Sequence, residues 1–228
     1  MKTFVPRRET LPPAQIALWP ELEPFERLGF VLYGGTALAL RLGHRESVDF
    51  DFFTDRPLHK DRVLEAGLLR AGRVVQDAAE TLTLVVERAG RPVRVSFFGD
   101  LVPARIAGRV GEPERTDDGG LLVASIDDLF ATKVKVILDR AEAKDYLDIA
   151  ALLRAGHSLE RGLGSARTIY GSAFQTAASL KALAYFGDGT LPTLATDVRA
   201  LLTNAAAAVR DIPSIPLRAT VLGWPTGG

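Results

Sequence analysis

Val48-Asp49-Phe50-Asp51-Phe52 alternates apolar and acidic residues with a period of two. That alternation fits a β-strand with one face in a core and the other carrying two carboxylates, because residues i and i+2 of a strand share a face. On this reading Val48, Phe50 and Phe52 point inward and Asp49 and Asp51 project together on the opposite side. Upstream, the apolar run Phe30 to Tyr33 reads as a strand entering a tight turn at Gly34-Gly35, and Thr36 to Leu42 reads as a short helix.

The rest of the chain fits around this unit. Helical structure is expected between Pro13 and Arg27, broken into pieces by Pro20 and Pro24. A helix over Lys60 to Arg70 precedes three strand-like runs, Arg73 to Val75, Thr81 to Glu87 and Val93 to Phe98. A Pro/Gly-containing loop covers 99–119. From Ser125 onward the pattern is helical and rich in Ala and Leu, with breaks near Gly156, Gly187-Asp188-Gly189 and Pro213. The prediction is an α+β chain: residues 1–124 form a small mixed sheet flanked by helices, and residues 125–228 form a C-terminal helical bundle packing on that core. No internal repeat or low-complexity tract interrupts it.

Composition narrows the chemistry. The 228 residues suffice to bury a core, and the absence of cysteine excludes disulfides, zinc–thiolate sites, iron–sulfur clusters and thiol nucleophiles. The start, MKTFVPRRET, does not read as a signal peptide, and no stretch approaches the roughly 18 uninterrupted apolar residues of a membrane helix. The expected location is the cytoplasm, with no membrane partner. Lys plus Arg equals Asp plus Glu at 28 each, so no global field attracts a polyanion and any nucleic-acid contact must be local.

Two carboxylates held together repel unless a cation lies between them, and an all-oxygen pair suits magnesium completed by water and phosphate. Asp49 and Asp51 are therefore either a metal site or ordinary solvated acids on a strand face. Gly34-Gly35-Thr36 admits a phosphate cradle, in which glycine allows close backbone approach and a helix start attracts the anion. It also admits a plain turn with a helix cap. Further on, the stripe Ile126, Leu129, Phe130, Val134, Ile137 includes Lys133, and Asp145 aligns with Ile149 and Leu152. A buried lysine needs an anion, which would be either Asp145 or a substrate phosphate. Asp148 falls at the stripe's edge, and Lys144 reads as solvated.

The run from Tyr33 to Phe53, YGGTALALRLGHRESVDFDFF, resembles the first motif of the AbiEii/AbiGii-type nucleotidyltransferase toxins, which are MenT-like members of the DNA polymerase β-like superfamily. A second block, from Lys133 through Arg140 to Lys144-Asp145-Tyr146-Leu147-Asp148-Ile149, is similar to the family's Lys…Arg…Lys-Asp-x-x-Asp signature. The resemblance implies the polymerase β-like nucleotidyltransferase fold, with Gly34, Gly35 and Thr36 on the triphosphate and Asp49 and Asp51 on catalytic Mg2+. It makes Arg45 and Ser47 part of the nucleotide-binding motif, although Arg45 also suits pairing with Asp49 or Asp51, or bracing the loop it shares with His44. It makes Lys133 a phosphate ligand and Asp145 the group that orients or deprotonates the attacking hydroxyl.

The implied activity is transfer of a nucleotide from a nucleoside triphosphate to a hydroxyl of RNA, such as tRNA, or of another acceptor, in a toxin with a cognate antitoxin. A small-molecule nucleotidyltransferase and a catalytically weak nucleotide-binding or interaction module are the competing readings. The second competitor is motivated by Val93 to Phe98, where superfamily enzymes commonly supply a third carboxylate and this strand offers Arg94 and Ser96.

Overall fold

The computed structural model describes residues 2–66, 72–100 and 108–224. These fall into two compact units, one comprising Met1–Pro103, Glu112–Ser125 and Ala219–Gly228, the other Ala104–Gly111 and Ile126–Arg218.

The first unit is built on an eight-stranded mixed sheet. Its strands are β1 (Thr3–Phe4), β2 (Val31–Tyr33), β3 (Asp49–Phe53), β4 (Arg73–Ala78), β5 (Thr81–Arg88), β6 (Arg91–Phe98), β7 (Glu114–Thr116) and β8 (Leu122–Val123). They lie in the order β1-β7-β8-β2-β3-β6-β5-β4. β3 is central, antiparallel to β2 on one side and parallel to β6 on the other. The predicted alternation holds over Asp49–Phe53, but Val48 precedes the strand and is 50% exposed, so the core-facing side begins at Phe50. Behind it Phe25, Phe30, Phe50, Phe52 and Phe97 form an aromatic core, with Phe25 and Phe97 centroids 4.7 Å apart and Phe52 stacked on Phe97 at 5.5 Å.

The helices of this unit are α1 (Pro13–Leu18), α2 (Pro24–Arg27), α3 (Gly34–Leu42) and α4 (Lys60–Glu65). The prolines break the N-terminal helical segment as expected: a single 3-10 turn, Trp19–Glu21, separates α1 from α2. α3 ends on Gly43, whose left-handed φ of +68° lets its N–H close on the Ala39 carbonyl at 2.8 Å. The helix expected over Lys60 to Arg70 is seen as far as Glu65; the rest of that span, 67–70, lies outside the described residues, as do 101–107 of the expected loop. Within that loop Glu114–Thr116 pairs into the sheet, and β4 runs three residues beyond the predicted Val75, to Ala78.

The second unit is helical: α5 (Ile126–Val136), α6 (Ala143–Arg154), α7 (Leu159–Tyr170), α8 (Thr176–Ala182) and α9 (Thr196–Ala208). Gly162 lets α7 lie against α5, since a Cβ there would stand 2.8 Å from the Phe130 ring. Ser158 caps α7 by accepting from the Arg161 N–H at 3.2 Å. Ser179 of α8 donates to the Val134 carbonyl of α5 at 2.9 Å. Helix breaks fall near Gly156, around Gly187 to Gly189 and before Pro213, and a further one separates α7 from α8 at Gly171–Gln175.

Candidate active site

Asp49 and Asp51 project from one face of β3, both partly accessible, while Phe50 and Phe52 are 0% and 1% exposed on the other. In the sheet register Asp51 stands between Tyr33 of β2 and Ser96 of β6, and Asp49 stands beside Arg94. Gly34 has φ +75°, and a Cβ on it would lie 2.7 Å from Asp51 Oδ2. Glycine is therefore required here twice, by its left-handed backbone and by the carboxylate lying against it. A Cβ on Gly35 would meet the Arg45 guanidinium and stand 3.5 Å from Ser47 Oγ. The turn thus gathers Asp51, Arg45 and Ser47 over two glycines. Tyr33, at the N-cap of α3, supplies no side-chain cap to the first helical turn.

Thr36 is placed differently from a phosphate-binding hydroxyl. It is 2% exposed, its Oγ1 lies 2.8 Å from Ser47 Oγ, and it donates to the Asp49 main-chain carbonyl. The hydroxyl is committed to the backbone that carries the first aspartate. Arg45 braces its loop by donating to the Glu46 carbonyl at 2.9 Å, besides covering Gly35. Ser96 is 4% exposed, and its Oγ accepts from Thr83 Oγ1 of β5 at 3.3 Å. The neighbour of Asp51 is thus a satisfied hydroxyl. Among the described residues no cluster of three or more His, Cys, Asp or Glu assembles.

One contributor escaped the sequence reading. Gln15 of α1 is 2% exposed, and its side-chain amide donates to the Val48 carbonyl. Nothing in the periodicity of α1 singles it out beyond a polar residue on a helix otherwise buried at Ala14 and Leu18.

In the second unit Lys133 and Asp145 do meet. Lys133 Nζ lies 2.8 Å from Asp145 Oδ1 and 2.6 Å from Asp148 Oδ2, with the lysine side chain 6% and both carboxylates 0% exposed. Arg140 adds two hydrogen bonds to Asp145, from Nε at 2.8 Å and from Nη2 at 3.2 Å. Burial pushes the Asp145 carboxyl up, but the Arg140 hydrogen bonds and the Lys133 charge outweigh it and hold the group below its ordinary value. This is the ion-pair arrangement of the two foreseen for Lys133 and Asp145, extended to Asp148, which turns out to be fully buried rather than at an edge. Lys144 is about half exposed and pairs with Glu142 at 2.9 Å.

Known proteins resemble the chain over much of its length. An uncharacterized protein of Aquifex aeolicus (strain VF5) is 32% identical over 128 residues, an alignment that spans 55% of this chain and 58% of that one. A crystal structure of an H. pylori protein assigned as a nucleotidyltransferase superposes with a TM-score of 0.56 at 17% identity, covering 85% of this chain and 92% of that one, and shares the fold. The nucleotidyltransferase toxin MenT4 of Mycobacterium tuberculosis H37Rv gives a TM-score of 0.44 at 15% identity over 87% and 92% of the two chains. Residues 21–211 match the family described as "Nucleotidyl transferase AbiEii toxin, Type IV TA system". With well over half of its length matched, the chain belongs to the AbiEii family of nucleotidyl transferase toxins of type IV toxin–antitoxin systems.

Proposed function

We propose that the chain transfers a nucleotide from a nucleoside triphosphate to an acceptor hydroxyl, using a divalent cation held by Asp49 and Asp51. One observation carries this reading: two accessible carboxylates on one strand face, the second lying against a left-handed glycine at the start of a helix. The donor set suits Mg2+, which takes hard oxygen ligands and is commonly bound through one or two carboxylates with the remainder from water and substrate phosphates. When bound, such a cation neutralises charge developing on the phosphates and orients them.

The chain's own residues supply the rest. The first amides of α3, at Gly35 and Thr36, offer N–H groups to a phosphate, and the helix start favours an anion there. Arg45 places a cation over Gly35, and Ser47 lies beside it. In the transfer the acceptor oxygen bonds to the α-phosphorus, the bond to pyrophosphate breaks, and the hydroxyl proton passes to a base. The motif resemblance makes Asp145 a base and Lys133 a phosphate ligand; in the second unit Arg140 and Lys133 hold Asp145 ionised and occupy its carboxylate. Their burial in a shared network means that either role comes with a structural one. RNA, such as tRNA, is the acceptor that the motif resemblance implies, and the type IV toxin–antitoxin family makes a cognate antitoxin the expected partner.

The missing acid at Ser96 favours a single-metal site over a symmetric two-metal clamp, and it is the observation on which a weakly catalytic nucleotide-binding module would rest. Incubating the protein with Mg2+, each α-labelled ribonucleoside triphosphate and total RNA tests the choice. Label entering RNA in wild type and not in Asp49→Asn supports transfer to RNA; label appearing only on small molecules reassigns the acceptor; nucleotide binding without label transfer reduces the chain to a binding module.

A further inference from the structure

The segment that delivers Asp49 to the site is fixed at three successive residues by groups from elsewhere in the first unit. The Ser47 N–H donates to the Thr10 carbonyl at 3.2 Å. Val48 O accepts from the Gln15 side chain, and Asp49 O accepts from Thr36 Oγ1, which also touches Ser47 Oγ at 2.8 Å. Thr10, Gln15, Thr36 and Ser47 are 7%, 2%, 2% and 7% exposed. Burying polar groups this deeply is unfavourable unless they find partners: the Gln15 amide nitrogen and the Thr36 hydroxyl find theirs on these carbonyls, while Gln15 Oε1 is buried without one, so the nitrogen's bond is the one the fold must keep. Gln15 uses a side-chain donor on the carbonyl next to Asp49, and Thr36 on the carbonyl of Asp49 itself. Val48, by contrast, is half exposed, so its side chain is not itself part of the core at the strand end.

We infer that Gln15 and Thr36 are positioning residues for the metal–triphosphate site: they fix the backbone at Val48 and Asp49, and so set where the Asp49 and Asp51 carboxylates stand relative to the Gly34-Gly35 turn. This rests on the proposed metal-dependent binding of a triphosphate. Gln15 lies in the N-terminal segment, before residue 21, where the family match begins. That segment is tied down independently, since the Arg7 N–H donates to the Leu40 carbonyl of α3 at 2.8 Å. The two donors therefore approach the Asp49 strand end from different elements, α1 and α3.

The consequence is specific. Loss of either donor leaves both carboxylates present but loosely aimed, so the divalent ion is held less well while the amides of α3 and Arg45 still meet phosphate. Loss of a group that orients a metal ligand typically weakens metal binding by about 10–100-fold. Calorimetric titration of Mg2+ into protein with a non-hydrolysable triphosphate reads this directly, on wild type, Thr36→Val, Thr36→Ser and Gln15→Met, with Leu222→Ala as a control destabilised away from the strand end. We expect a roughly 10-fold or greater rise in the Mg2+ midpoint for Thr36→Val and Gln15→Met, wild-type behaviour for Thr36→Ser, and an unshifted midpoint for Leu222→Ala. Hydrogen exchange of the 47–53 peptide should accelerate in the two donor-deleted variants and not in Thr36→Ser. If both fold and keep the wild-type Mg2+ midpoint, the positioning role is wrong; should one fail to fold, the other decides alone. A wild-type protein with no Mg2+-dependent triphosphate binding would instead remove the metal reading on which the inference stands.

Discussion

At Gly34 backbone and side-chain chemistry coincide: a left-handed φ and the Asp51 carboxylate both exclude a Cβ. Gly34→Ala should therefore lower stability by about 1–2 kcal/mol for the left-handed conformation alone. It should also displace Asp51, so that Mg2+-dependent triphosphate affinity falls more than stability does; urea melts run beside nucleotide titration separate the two effects. The importance of Gly34-Gly35 was legible in the sequence because an apolar run ends on them and a helix follows. The use of Thr36 was not. A Thr after a glycine pair reads equally as phosphate ligand, cap or tie to a distant carbonyl, and only the fold brings Asp49 O to its hydroxyl. Gln15 was beyond reach for the same reason, since its partner lies 33 residues away on another element.

Among the elements, β3 and β6 carry strong alternation and were read nearly to their ends, whereas β1, β7 and β8, of two or three residues each, are too short for any period to register. Their pairing comes from the sheet edge that accepts them. In α6 the arc Asp145, Tyr146, Asp148, Ile149 is buried wider than an apolar stripe suggests, because Lys133 and Arg140 make the inward acids tolerable. This element makes two predictions. Lys133→Met removes the buried cation that Asp145 and Asp148 share and should destabilise the protein by roughly 3–5 kcal/mol, as breaking a buried pair does; a loss within about 1 kcal/mol in a denaturant melt would mean that Arg140 alone suffices to hold the network. Asp145 has a depressed folded-state value, so its contribution is fully present above the ordinary 3.8 and is lost as pH falls below that through the native value. Stability measured from pH 5 downward should fall more steeply in wild type than in Asp145→Asn, and parallel curves would deny the coupling.

Across the whole molecule the chain divides close to where its composition changes, at Ser125 and Ile126, but it does not end in the helical unit. After α9 the chain rejoins the first unit, where Leu222 is 1% exposed and its N–H donates to Asp55 Oδ1 at 3.0 Å. An Ala- and Leu-rich half gives no hint of that return, since a short irregular segment has no periodicity to read. Leu222→Ala should cost about 2–5 kcal/mol, as burial of a leucine in a packed core predicts, and a thermal melt reads it. Among the described residues no helix is long and apolar enough to cross a membrane. The central claim is that two carboxylates on β3 hold a divalent ion against a triphosphate beside the Gly34-Gly35 turn. Calorimetry of wild type and of Asp49→Asn/Asp51→Asn with a non-hydrolysable nucleoside triphosphate, with and without Mg2+, tests it most directly. The account predicts Mg2+-dependent binding in wild type and its loss in a variant that still melts cooperatively; undiminished Mg2+-dependent affinity in that variant would contradict it.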